Sequence, residues 1–238
     1  VVVGIDRCDH IESQLLPQDT WGTQYVASKY MPRGSEPDVW RILSGEDGTT
    51  VRLGFRIPAP EEQVHIGSPV LGDDYTEFHL DRGQYAEFEA SQPFTVDATA
   101  PVSLGHYMVG SNWISIPRIC GQGIDAGSPT GIGDPALSIS VPVSQFREDY
   151  IVLVPLDYDQ DYLNIIYLEG AGISLDGEPL NPTIIRQLGD TGWEVATVEV
   201  ADGPHVLHGD QPFGLEAYGY DCHVSYSYPG GLNLERDR

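Results

Sequence analysis

No window of eleven or more residues in this chain carries an apolar stripe at the helical spacing of about 3.6, and this absence limits the fold more than any other feature. Apolar and polar residues instead alternate or form short apolar runs, and Gly or Pro interrupts them roughly every ten residues, which is the spacing of strands and turns. With 27 Gly, 18 Pro and 13 Tyr, the chain is rich in turn formers and in residues that suit a pleated, half-buried surface. The pattern predicts an all-β protein. Strands are expected over 24–28, 39–43, 49–56, 85–90, 102–109, 151–155, 162–168, 193–200 and 213–220. Turn signals fall between them at Glu46-Asp47-Gly48, Asp81-Arg82-Gly83, Leu175-Asp176-Gly177 and Ala201-Asp202-Gly203. Residues 144–149 read as one short helical turn.

A chain of 238 residues that is 40% hydrophobic buries a sizeable core. Its weakest pattern is the segment from Cys120 to Pro135, with Gly at 121, 123, 127, 131 and 133. Placing a boundary there predicts two tandem β-sandwich or jelly-roll-like units: residues 1–118, a Gly-rich linker or loop over 119–133, and residues 134–238. Periodicity equally allows one continuous structure in which that segment is a long surface loop. No strict internal repeat is visible. The opening Val1-Val2-Val3-Gly4 reads as an interior strand, so the chain is expected to be part of a longer protein.

Acidic residues number 36 against 12 basic ones, eleven Arg and the single Lys29, for a formal charge of −24. Phosphate-backbone binding needs a basic patch, and the arginines are scattered from Arg7 to Arg238, which argues against nucleic acid and against anionic lipid. A surplus this large keeps a protein soluble at high ionic strength or attracts divalent cations. No run of 18 apolar residues is present, so no membrane insertion is expected. Three cysteines, Cys8, Cys120 and Cys222, lack metal-ligand spacing; in an oxidising compartment Cys120 with Cys222 is the expected pair, since both lie in Gly-rich segments.

Asp157-Tyr158-Asp159-Gln160-Asp161 is the strongest metal candidate. Carboxylates at i, i+2 and i+4 can converge on one side of an extended segment to hold Ca²⁺, or form a solvated acidic turn. The loop is not an EF-hand, because Tyr162 and Leu168 occupy the positions that would need Gly and Glu. His205 and His208 would share a metal on a helix but point apart on a strand. No nucleophile elbow, Walker loop or His-Glu-x-x-His run is present, so neither a catalytic residue nor an organic cofactor is assigned. A glycan-active enzyme would need two carboxylates facing each other at roughly 5–9.5 Å, a placement that sequence does not supply. Tyr218, Tyr220, Tyr226 and Tyr228 admit two readings. One is a cross-strand tyrosine ladder turned at Pro229-Gly230-Gly231; the other is an exposed platform for a glycan or protein partner.

Several motifs together resemble one family. They are the run from Cys8-Asp9-His10 to Pro17, then Trp21-Gly22-Thr23-Gln24-Tyr25-Val26, Gly133-Asp134-Pro135, and the close from Tyr218-Gly219-Tyr220 to Pro229-Gly230-Gly231. The chain resembles the N-terminal domain of the IgG-Fc-binding protein family of mucus and bacterial surface proteins. Gly48-Thr49-Thr50-Val51, residues 88–107, Gln145-Phe146 with Tyr150, and Asp202-Gly203-Pro204-His205 are compatible with it. The resemblance implies a secreted or cell-surface β-rich module of a larger protein. Such a module acts in binding or adhesion, with an extracellular protein or glycan as partner alongside other domains of the same chain. The lysine-poor, acidic composition fits a bacterial member, to which Fc binding itself does not carry over. A structural spacer is the rival reading. The family also implies a preceding sister unit and an upstream partner for Cys8. Gly133-Asp134-Pro135 resembles the self-cleaving Gly-Asp-Pro-His of von Willebrand type D domains, but Ala136 replaces the His, so no autoproteolysis is expected.

Overall fold

The computed structural model describes residues 11–58, 65–113 and 131–234. Sixteen strands appear among them, accompanied only by short 3-10 turns. The first eight are β1 (Gly22–Ala27), β2 (Asp38–Ser44), β3 (Thr49–Leu53), β4 (Val70–Leu71), β5 (Thr76–Leu80), β6 (Tyr85–Ala90), β7 (Phe94–Met108) and β8 (Ala136–Ile139). The rest are β9 (Arg147–Val154), β10 (Gln160–Leu168), β11 (Ile173–Leu175), β12 (Glu178–Pro179), β13 (Ile184–Gln187), β14 (Trp193–Val200), β15 (Gly203–Asp221) and β16 (Val224–Pro229). The all-β, two-unit expectation therefore holds.

Each unit is one curled antiparallel sheet organised by a single long strand. In the first the order is β4-β5-β3-β7-β2-β6, and β1 and β8 also pair with β7. In the second it is β12-β11-β15-β10-β14-β13, and β16 and β9 also pair with β15. The early part of β7 pairs with β1 and β3, and its later part with β2 and β8. β15 does the same with β9 and β11, then β10 and β16. The register breaks where the long strand passes from one set of partners to the other, opposite Gly22/Gln24 in the first unit and between His208 and Phe213 in the second. Pro101 and Pro212 stand at these breaks, where a residue without an N–H costs no ladder bond. Both prolines read in the sequence as strand limits, which is why only the later part of each long strand is predicted.

The two pairing schemes coincide. β1, β2, β3, β6, β7 and β8 correspond to β9, β10, β11, β14, β15 and β16. The correspondence reaches single atoms. The Gly22 N–H donates to the Tyr25 hydroxyl (3.2 Å), which donates to the Val102 carbonyl (2.5 Å). The Arg147 N–H donates to the Tyr150 hydroxyl (3.0 Å), which donates to the Phe213 carbonyl (2.5 Å). Pro17, Trp21 and Tyr25 recur with identical spacing as Pro142, Phe146 and Tyr150, each set opening with a 3-10 turn, Gln18–Thr20 or Val143–Gln145. The chain thus contains a repeat too diverged to see by eye, in which the second unit mirrors the first.

The Gly-rich segment does not separate the units along the chain. β8 follows it and returns to β7, and the second sheet begins only at β9. Residues 114–130, which hold most of that segment, lie outside the described residues, as does the Val1-Val2-Val3-Gly4 opening.

The first core gathers Trp40, Ile42, Val51, Leu53, Phe78, Phe88, Phe94 and Leu104, with Trp40 edge-on to Phe94 at 5.2 Å. The second gathers Tyr150, Leu163, Ile165, Ala196, Leu207, Phe213 and Leu215. Complete burial of such side chains contributes about 1.5–3 kcal/mol each. β10 is buried along both faces from Asp161 to Tyr167. Leu163, Ile165 and Tyr167 face their own core, whereas Tyr162 and Ile166 belong to clusters that include Tyr30 and Val26 of the first unit.

Candidate functional site

The four tyrosines divide between two faces of β15 and β16. Tyr218 pairs with Ser227 and Tyr220 with Ser225, while Gly219 pairs with Tyr226 and Ala217 with Tyr228. Paired residues share a face, so the two tyrosine pairs lie on opposite sides and form no cross-strand ladder. Tyr218 and Tyr220 are buried between the units. The Tyr218 hydroxyl accepts from Met31 N–H (2.9 Å), and the Tyr220 hydroxyl donates to the Met31 carbonyl (2.9 Å). Neither is on an outer surface. Tyr226 and Tyr228 are half-buried, stacked at 6.0 Å between ring centres, and Tyr158 stands edge-on to Tyr226 at 4.8 Å.

Each of the two outer rings is tied down by its hydroxyl. Tyr226 donates to Asp161 Oδ1 (2.6 Å) and Tyr228 to the Leu153 carbonyl on β9 (2.7 Å). Gly219 makes the first bond possible, since a Cβ there would stand 2.4 Å from Asp161 Oδ1 and 2.5 Å from Tyr226 Cε1. Burial pushes the Asp161 carboxyl above its usual range, with Asp202 and Asp221 adding repulsion, despite the Tyr226 hydrogen bond. Burial and then Asp161 push the Tyr226 hydroxyl far up, so the phenol stays protonated. Three tyrosine rings, two of them with hydroxyls engaged and orientation fixed, thus line the side of the second unit between β9 and β16.

Asp157 and Asp159 are exposed, while Asp161 turns inward to Tyr226. Among the described residues no group of three or more His, Cys, Asp or Glu is placed to hold a metal ion. At the three aspartates the chain turns left-handed at Asp157 (φ 71°) and Asp161 is directed to Tyr226, so the described geometry does not bring their carboxylates into one group. His205 and His208 also part company, the first beside Asp176 (2.7 Å) and the second beside Asp149 (2.8 Å). Cys120 lies outside the described residues.

The most elaborate polar cluster is one that sequence reasoning missed. His106 lies between the rings of Trp40 and Tyr30, 3.8 Å from each and nearly parallel to both. Its Nε2 is 2.8 Å from Asp38 Oδ2 and its Nδ1 is 3.1 Å from Glu216 Oε1. Lys29, the only lysine, reaches Asp38 Oδ1 at 2.7 Å. Ser28 and Tyr30 donate to Glu216 at 2.8 and 3.1 Å. All of these residues are buried, and the two cations balance the two carboxylates. Burial alone would lower the pKa of His106, but Glu216 and Asp38 outweigh it and hold the ring above the ordinary histidine range, as an imidazolium. Burial would raise both carboxyls, yet Lys29 and then His106 bring Asp38 down, and His106 does the same for Glu216. Glu216 comes from the second unit and the rest of the ion network from the first, so the network clamps the two together. Asn164 adds a neutral bond across the same junction, from its Nδ2 to the Lys29 carbonyl (3.1 Å). The sequence did hold a signal: Lys29 and Glu216 are the charged interruptions in apolar, aromatic runs that otherwise read as buried strands.

Among the described residues no helix is long and apolar enough to cross a membrane. No curated protein and no solved structure matches the chain. The family described as IgGFc binding protein matches over residues 1–219, from the start of the chain to within β15. By that match the chain belongs to the IgG-Fc-binding protein family.

Proposed function

We propose that this chain is an extracellular, non-catalytic binding module whose ligand is a protein or a glycan, and that Tyr226 and Tyr228, with Tyr158 beside them, form the contact surface. Membership of a family of binding proteins supports the class of function. The observation that carries the location is the fixing of two partly buried rings, packed on the edge of the second core, by hydroxyl bonds to Asp161 and Leu153, which leaves their remaining exposed aromatic area with little rotamer freedom to lose on binding. The most charged cluster, around His106, is buried between the units, with Ser28 and Glu216 bordering a small cavity, and its ion pairs serve to hold the two units together. Pairing of Cys120 with Cys222 belongs to the same reading, because an exported chain meets oxidising conditions.

The test is binding of the folded chain to immobilised glycans, mucin and immunoglobulin Fc at physiological salt, beside Tyr226→Ala and Tyr228→Ala. A specific hit lost in both variants supports the reading. Silence on every surface moves the function to a spacer that only projects other domains, and a hit indifferent to both substitutions places the contact elsewhere.

A further inference from the structure

The outer face of β9 and the adjoining part of β15 is the most exposed apolar surface of the described residues. Ile151 is 76% exposed, Leu153 65% and Val206, paired with Ile151, 53%; Leu156 just beyond is 68% exposed. Among the described residues, nothing in the second unit itself accounts for this aliphatic face. The repeat does. Counting from the paired tyrosines Tyr25 and Tyr150, Ile151 corresponds to Val26 and Leu153 to Ser28, and those residues are only 2% and 3% exposed. They lie under the second unit, where Val26 packs with Ile166 and Val195, a cross-strand pair on β10 and β14. In this design the outer face of the first strand is the seat for another unit. The seat is filled in the first unit and open in the second.

The complementary face is also duplicated. Ile166 pairs with Gly214 and Val195; in the first unit Leu43 pairs with Ser103 and Tyr85 in the same places. Leu43 is half-buried and Tyr85 is 38% exposed. Among the described residues, one molecule therefore has one open seat and one plug partly covered by its own His65, stacked on Tyr85 at 4.7 Å, and by Arg41, 4.8 Å above the same ring, each face the counterpart of one already used at the junction between its own units.

We infer that a second copy of this chain docks head to tail, its Leu43–Tyr85 face covering the Ile151, Leu153 and Val206 face of the first. Such a heterologous contact does not close on itself and extends into rows, as in repeat proteins. The charge of −24 on each copy opposes the contact, so added salt strengthens it. This contact adjoins the ligand surface proposed above at Leu153, whose carbonyl holds the Tyr228 hydroxyl while its side chain belongs to the seat.

Sedimentation equilibrium of the full chain over a concentration series, at low salt and at about 1 M NaCl where screening reaches about 3 Å, tests the inference. The expected result is growth beyond the dimer at high salt. Ile151→Asp with Leu153→Asp, and separately Tyr85→Asp, each lose self-association, yet an equimolar mixture of the two forms a dimer and stops there, because only one intact seat meets one intact plug. The milder Ile151→Ser with Leu153→Ser weakens association in the same direction, and unchanged melting curves show that the variants are folded. A chain that stays monomeric throughout the series overturns the inference, as does association indifferent to both variants. Loss of association by the seat variant alone also overturns it, since that indicates a symmetric contact.

Discussion

His106 Nδ1 lies 3.1 Å from Glu216 Oε1, an ion pair between residues 110 positions apart that joins the first sheet to the second across a buried junction. The same imidazole bonds Asp38 through its other nitrogen, so removing it leaves two buried carboxylates with Lys29 as their only cation among the described residues. His106→Ala is expected to cost about 3–5 kcal/mol, the usual consequence of breaking a buried ion pair on one side. In denaturant unfolding, His106→Leu combined with Glu216→Leu is expected to cost less than the sum of the two single changes, because each removes the charge the other leaves stranded.

The protonation state of this cluster sets a pH window. The folded pKa of His106 lies above the ordinary value of 6.5, so its contribution is complete below that value and disappears as pH rises through the folded pKa. Asp38 and Glu216 lie below 3.8 and 4.5, so their contribution is complete above those values and disappears as pH falls through the folded values. Melting temperatures should therefore form a plateau from just above the carboxylate range to about 6.5, and decline as pH rises from there through the folded pKa of His106. His106→Asn should lower the plateau and remove the alkaline decline attributable to that group.

The two tyrosine bonds of the repeat predict paired effects. Tyr25→Phe strands the Gly22 N–H and the Val102 carbonyl, and Tyr150→Phe strands the Arg147 N–H and the Phe213 carbonyl. Each substitution is expected to cost about 1–3 kcal/mol, the cost of leaving buried polar groups unpaired. Similar losses in denaturant midpoints would show that the sites do the same work, whereas a neutral change at either would break the correspondence.

At Gly219 even a methyl group has no room, since it would overlap Asp161 and the Tyr226 ring. Gly219→Ala is expected to cost about 1–3 kcal/mol through overpacking and to displace the Tyr226 hydroxyl from Asp161. Tyrosine absorbance should follow, because an unhooked ring gains solvent and its phenol titrates at lower pH.

Much of the fold is legible in the chain. Alternation at the strand period and the Gly-containing turns locate the central strands, and Asp176 and Gly177, at φ 54° and 86°, form the tight hairpin that Leu175-Asp176-Gly177 announces. The short edge strands β4, β12 and β13 escape because two to four residues hold too little period to read. The repeat escapes because its shared features are a spacing and a pairing scheme, not identities: Trp21 becomes Phe146 and Val26 becomes Ile151. The tyrosine motif is visible, but the faces are not, since burial of Tyr218 and Tyr220 depends on the other unit. His106 shows the same limit. A lone histidine in a strand reveals neither Glu216 nor Asp38, which only the packing of two sheets brings to its ring.

Hydrogen exchange of the chain, free and mixed with immunoglobulin Fc or mucin, tests the proposed binding role most directly. Added protection is expected to be confined to β16 and the facing part of β9, around Tyr226, Tyr228 and Leu153, with 216–220 slow to exchange in both states because it is already buried between the units. Protection centred elsewhere, or no protection with either probe, would contradict it.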